Sequence, residues 1–359
     1  MERPSKSPRP LSPKDSPPKD SPPNKLPAHS AEHLPDDPPN ELPDNSAAGL
    51  VDKRLGDLPG DLPAEHASNP FLTLQSRYLV LGTYLVASVA VGLGYAYLGQ
   101  LELLPWQWED PISMPVLSIA IWTVLVVVIV WASREHGLRL GKLFGLKIPR
   151  FSAFYAGLLV VSLLIFSMGC FSVVFYFLSL AFPRYAAQML ETDLMLGGGN
   201  SSFPQLYDGL MLFLLLVYAP LVEELVFRGI LLQRWGTKWG LRWGLLWSSV
   251  LFGILHVNNP LGLTLFGLVM GLLYLRTRSL WVPVLCHGLN NLAAVGIDWL
   301  SDLTTAGSEE VVTVAAMQEN WWIGLVLMGI SAPFLLHFIR RSWPKPLDEI
   351  PYVANETVS

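Results

Sequence analysis

Charge and cysteine are both scarce in this chain. Only 15% of its 359 residues are charged, against 51% hydrophobic, and the mean hydropathy is +0.39. Such a balance does not suit a water-soluble enzyme or a nucleic-acid binder, and several runs exceed the roughly 18 apolar residues that mark a membrane-spanning helix. The two cysteines, Cys170 and Cys286, both fall inside such runs. They argue against a disulfide framework, their number rules out a zinc site of four cysteines, and they read as free core thiols. No apolar core follows the first basic residues, so no signal peptide is expected.

What is present divides the chain in two. Up to about residue 70, Pro, Ser, Asp and Asn dominate, hardly an aromatic occurs, and Lys-Asp-Ser-Pro-Pro appears at 14–18 and again at 19–23. A segment of that kind cannot bury enough apolar surface to offset its ordering entropy, so a disordered tail is expected, in part polyproline II. Beyond it the expected fold is an all-α polytopic membrane protein of about eight transmembrane helices. These are placed at 78–99, 112–132, 152–181, 209–233, 243–257, 261–275, 280–299 and 321–339.

The loops orient these helices. Arg134, Arg139, Lys142, Lys147 and Arg150 follow the second expected span, and Arg234, Lys238 and Arg242 follow the fourth. Arg276 and Arg278 follow the sixth, and Arg340, Arg341 and Lys345 the eighth. The intervening loops hold one basic residue, Arg184, against Glu102, Glu109, Asp110, Glu191, Asp193, Asp302, Glu309 and Glu310. By the positive-inside rule both termini are expected in the cytoplasm. The expected location is a bacterial inner or plasma membrane.

Within the fourth run stand Glu223, Glu224 and Arg228. A charge at membrane depth costs roughly 2.5–3.5 kcal/mol on insertion scales, so such groups are paired, face a protein interior or do chemistry. Glu224 and Arg228 are i and i+4 with the carboxylate N-terminal, the favourable order for a pair. Glu223 is rotated by roughly 100° and cannot share that arginine in the same geometry. It is left over, and is the candidate for chemistry.

Further polar residues interrupt other spans: His256, at the end of Phe252-Gly-Ile-Leu-His256, and the i, i+4 pair His287 and Asn291. At 1.5 Å per residue from a turn near 236–241, Glu223 and His256 both lie roughly 20 Å in, and Asn291 roughly 18 Å in from its own end. Taken singly, a membrane histidine is a helix-contact residue, an Asn is interhelical hydrogen-bonding glue and a Glu–Arg pair is a brace. Their matched depth argues for one site. His337 is assigned to the interface, Tyr218 to packing, and His29, His33, His66 and His136 have no ligand spacing.

The ordered set Glu223-Glu224-Leu-Val-Phe-Arg228, Phe252-Gly-Ile-Leu-His256 and His287-Gly-Leu-Asn-Asn291 resembles the CPBP family of intramembrane proteases, which includes the CAAX prenyl endopeptidases and the Abi proteins. The resemblance covers roughly 215–295. It implies peptide-bond hydrolysis within a membrane, with Glu223 activating water and His256 holding that water. His287 and Asn291 would stabilise the oxyanion, and Glu224 and Arg228 would support the site.

A carboxylate and two histidines also form a catalytic zinc set, so Glu223, His256 and His287 would be the ligands if zinc is used. Asn291 is a poor zinc ligand and tilts the reading towards a metal-free site. The expected partners are membrane lipid and a membrane-associated protein or peptide, with no nucleic acid. The expected organisation is a tail over 1–75, membrane helices over 76–185, a helical core resembling that family over 205–300, an outer loop and last helix over 301–345, and a short tail over 346–359. Two other readings stay open. A proton-coupled carrier would use the buried Glu and His residues as a relay and show broken helices, with Gly253 and Gly288 as weak points. A non-catalytic scaffold or immunity factor would keep the fold without turnover.

Overall fold

An apolar run surrounded by lipid or by other apolar runs has to satisfy its backbone polar groups internally, which favours helices. A computed structural model of the chain shows helices and no strand among the described residues, which are 69–145, 152–191, 200–305, 313–346 and 348–356. The expected tail up to residue 68 lies outside them, as do Lys147, Arg150, Asp193, Glu309 and Glu310.

The described helices are α1 (Arg77–Gln100), α2 (Ser113–Glu135), the short α3 (Leu140–Phe144), α4 (Ala153–Ala181) and α5 (Pro183–Glu191). They continue with α6 (Pro204–Trp239), α7 (Leu241–Leu255), α8 (Pro260–Thr277), α9 (Trp281–Thr305), α10 (Val314–Glu319), α11 (Trp321–Ser342) and α12 (Pro351–Glu356). Each of the eight expected spans coincides with a helix. Six of them (α1, α2, α4, α6, α8 and α11) are long and apolar enough to cross a membrane. α9 is long but carries His287, Asn290, Asn291 and Asp298, which lower its hydropathy.

α7 is the informative exception. Its 15 residues span only about 22 Å, short of a hydrocarbon layer of roughly 30 Å. A helix that starts at one boundary and stops early leaves the residue that follows it, His256, at membrane depth. Non-helical backbone there is tolerable only when held by protein. Asn259 supplies that hold: its Nδ2 donates to Ser167 O and Ser167 Oγ of α4 at 2.9 and 2.8 Å, while its Oδ1 accepts from Gly262 N at 3.2 Å and caps α8.

The α6–α7 turn is made at Gly240, whose φ of +89° is one that side-chain-bearing residues rarely adopt. Four segments meet at this end. Leu280 N donates to Leu143 O at 3.2 Å, Arg242 Nε to Pro344 O at 2.9 Å, and Asn355 Nδ2 to Lys142 O and Arg278 O at 2.8 and 2.9 Å. The loop after α2, the two turns and the segment after α11 thus share one end, as the charge alternation requires. Beneath α6, Tyr352 is 2% exposed. Its hydroxyl accepts from Arg139 N at 3.2 Å, and its own N–H donates to Gln233 Oε1 at 3.5 Å.

Elsewhere, Asp110 of the α1–α2 loop accepts from Ser201 Oγ and Ser202 N, both at 2.7 Å, and from Ile112 N at 3.0 Å. The Ser201 hydroxyl first, and then the backbone donors, hold its carboxyl well below the usual carboxylate range. Cys170 and Cys286 are buried free thiols.

Candidate active site

The site assembles around α6, which is not a regular α-helix throughout. π-helical stretches over Leu214–Tyr218 and Leu225–Leu232 flank the α-helical Ala219–Glu224. In a π-turn the hydrogen-bond step lengthens to five residues, and such turns are frequent at functional sites. Here Leu215 O accepts from Asn291 Nδ2 of α9 at 2.9 Å. A Cβ added at Gly288 would lie 2.8 Å from Leu216 O, so α9 closes on α6 backbone to backbone.

Glu224 and Arg228 pair as the i, i+4 spacing requires. Arg228 Nη1 donates to Glu224 Oε1 at 2.8 Å, with the two residues 1% and 0% exposed. The same oxygen accepts from His287 Nδ1 at 2.9 Å, and Arg228 Nη2 donates to Gly267 O of α8 at 3.1 Å. Three helices are therefore joined through one carboxylate–guanidinium pair. Burying two charges costs several kcal/mol each, which is offset only when the geometry is good and further hydrogen bonds complete it. The Arg228 guanidinium also lies 4.8 Å from the centre of the Phe252 ring. That ring packs at 4.5 Å against His256 with the planes tilted by 33°, while Phe266 meets His287 edge-on at 4.8 Å.

Glu223 points elsewhere, as the 100° offset demands. Its Oε1 lies 4.0 Å from His256 Nε2 and its Oε2 lies 3.8 Å from His287 Nε2. The ring tautomers follow from the other nitrogens. His256 Nδ1 lies 2.7 Å from Phe252 O, and a carbonyl only accepts, so Nδ1 carries the proton. His287 Nδ1 faces a carboxylate already bonded to arginine, so it also donates. In the neutral rings both Nε2 lone pairs face Glu223.

These groups line a cavity of about 270 Å3 together with Asn290, Asn291, Phe252, Phe266, Leu263 and Leu215. Glu223, His256, His287 and Asn291 are all brought there. Glu224 and Arg228 lie fully buried behind His287. Tyr218 stays in packing: it stacks on Phe213 and Trp122 and hydrogen-bonds Thr123 Oγ1 at 2.7 Å. Gly253 and Gly288 sit inside helices, not at breaks. A Cβ at Gly253 would stand 2.4 Å from Pro260 O, so this glycine serves close packing of α7 on α8.

The sequence reading missed the far wall. Met114, Ser118 and Trp122 of α2 line the same cavity, and nothing in the motifs marked α2. It also missed Asn290, beside the motif residue, and the hold of Asn259 on the chain after His256. An Asn-Asn-Pro cap before an apolar run was the available signal for Asn259.

A zinc ion takes tetrahedral N and O ligands at about 2.0–2.2 Å, which places the ligand atoms roughly 3.4 Å apart. The nearest oxygen–nitrogen pairs are wider and involve different oxygens of Glu223. No group of three His, Cys, Asp or Glu among the described residues is spaced to hold a metal. In this arrangement the set does not close on zinc.

Residues 205–293 match the family model described as type II CAAX prenyl endopeptidase Rce1-like. A Bacillus subtilis (strain 168) protein named "Putative membrane peptidase YdiL" is 34% identical over 88 residues, 24% of this chain and 36% of that protein. The chain therefore spans about a third of the curated relative it matches. No solved structure matches it. With the apolar helices of an integral membrane protein and all three motifs facing or supporting one cavity, residues 205–293 of the chain resemble the CPBP family of intramembrane proteases.

Proposed function

We propose that the chain is an intramembrane endopeptidase that hydrolyses a peptide bond of a membrane-associated protein with water activated by Glu223. One observation carries the reading: a carboxylate flanked at 3.8 and 4.0 Å by the Nε2 atoms of two histidines in a cavity with room for water. A water about 2.8 Å from both atoms of such a pair sees them at roughly a right angle, ordinary hydrogen-bond geometry.

In the step this supports, the Glu223 carboxylate takes one proton of the water while His256 Nε2 accepts the other in a hydrogen bond. The water oxygen attacks the scissile carbonyl carbon, and its C=O electrons move to oxygen. An Asn amide has two donor hydrogens. Asn291 uses one on Leu215 O, and the second can meet the oxyanion. In the imidazolium form of its ring, His287 Nε2 would be the other donor, with Nδ1–H held on Glu224 Oε1. Such preorganised donors contribute several kcal/mol in a water-poor site. The intermediate collapses as Glu223 returns its proton to the leaving nitrogen.

The family match and the peptidase name of the relative support the reaction class. A lipidated, CAAX-like C-terminus is a precedent for the substrate, and the basic loops support cytoplasmic termini and an inner or plasma membrane.

The test is cleavage of a panel of membrane-tethered and lipidated peptides by the purified protein, as wild type, Glu223→Ala and His256→Ala, each with and without a zinc chelator. Loss of a general base lowers the rate by about 10²–10⁴-fold. Retained cleavage in Glu223→Ala sinks the mechanism, and chelator-sensitive cleavage sinks its metal-free form. Binding of the peptides without turnover by any form favours the scaffold reading.

A further inference from the structure

A second cavity, of about 400 Å3, lies where α8 and α11 end and α7 begins. Its rim carries Arg276, Arg278, Arg341 and Lys345, and its floor includes Leu241, Leu275 and Trp343. Asp348 and Glu349 line it as well. Yet among the described residues no ion pair engages any of the four cations. Asp348 is turned onto the chain instead: its Oδ2 accepts from the Lys345 backbone N–H at 2.7 Å. Arg276 Nη1 reaches only Ser342 Oγ, at 3.5 Å. All four basic side chains are exposed, while Trp343 is half-buried. Four cations against two carboxylates leave an excess of two positive charges around an apolar-floored hollow.

The place matters as much as the charge. α8 starts at the cap that follows His256 and runs for 18 residues, about 27 Å, back towards the end where α7 begins, so its C-terminal end, with Arg276 and Arg278, lies near the membrane–water boundary. A concave basic pocket between helix ends at that depth matches a phosphate held above acyl chains. We propose that this cavity binds the phosphodiester headgroup of an anionic glycerophospholipid, with the arginines and Lys345 on the phosphate and the Leu241–Leu275–Trp343 floor against the upper acyl carbons.

The experiment uses the delipidated full chain in neutral detergent, with lipid binding followed by native mass spectrometry. Phosphatidylglycerol, phosphatidylcholine and soluble glycerol phosphate are titrated against wild type, Arg276→Gln, Arg341→Gln and the double variant, with Arg134→Gln as a control at the same end. Each neutralised cation is worth about fivefold at an anionic surface. Phosphatidylglycerol binding should therefore weaken about fivefold in each single variant and about 25-fold in the double, with phosphatidylcholine unaffected. Should the double variant not fold, the two single variants carry the decision. Phosphatidylglycerol binding within twofold of wild type in the single variants overturns the proposal. An equal loss in Arg134→Gln also overturns it, since that is a diffuse basic face. Glycerol phosphate binding as tightly as the lipid overturns the lipid assignment.

Discussion

Replacing Arg228 with Met tests whether the site rests on a buried ion pair. Glu224 and Arg228 are 0% and 1% exposed, with 2.8 Å between the bonded atoms. For charge centres about 4 Å apart at an effective dielectric near 20, the attraction is about 4 kcal/mol. Removing one partner of a buried pair costs about 3–5 kcal/mol, because the other charge stays buried and uncompensated. Arg228→Met should therefore lose about that much stability. In Glu224→Gln/Arg228→Met no charge is stranded, and the glutamine oxygen still accepts from His287 Nδ1. The double variant is expected to recover at least 2 kcal/mol over Arg228→Met, although it also lacks the guanidinium that bonds Gly267 O. Equilibrium unfolding in mixed detergent–dodecyl sulfate micelles measures both, and the double-mutant cycle isolates the pair. An Arg228→Met loss below about 1 kcal/mol, or a double variant no better than the single, would refute the reasoning.

Two further outcomes are expected. Asn259→Ala removes a helix cap and both bonds to Ser167, so about 1–2 kcal/mol of stability should go. In the proposed peptide hydrolysis the rate should fall more than substrate binding, because the chain after His256 is released; kcat and KM measured separately check this. Asp110 has a depressed carboxyl, so its contribution to stability is present above the usual carboxylate range and is lost as pH falls through and below it. The acid limb of a pH–stability profile should flatten in Asp110→Asn.

Much of this was legible in the sequence because helical spacing and rise are rigid rules. The separation of Glu223 from Glu224 by about 100°, the Glu224–Arg228 pair and the common depth of Glu223 and His256 followed from 3.6 residues per turn and 1.5 Å per residue. The roles of α2 and α4 were not legible. Met114, Ser118, Trp122 and Ser167 are residue types that any membrane helix carries, and only packing reveals that they wall the cavity or brace the chain after His256. The π-turns were hidden for the same reason, since Leu-Leu-Leu-Val-Tyr reads as an ordinary apolar helix. α7 and α9 are the two expected spans outside the six helices that are long and apolar enough to cross a membrane, because a helix that stops at a site or carries polar site residues is shorter or less apolar than a plain span.

The backbone contact of α9 with α6 has one more consequence. Asn291 reads the carbonyl of Leu215 and Gly288 rests against that of Leu216, so the alignment of His287 with Glu223 is written in main-chain atoms that every residue possesses. Leu215 also lines the cavity, and the bond that ties it to α9 uses its main chain rather than its side chain. Selectivity for what enters and the machinery that reacts with it are separable at this position: the wall can be recut while the clockwork stays in mesh.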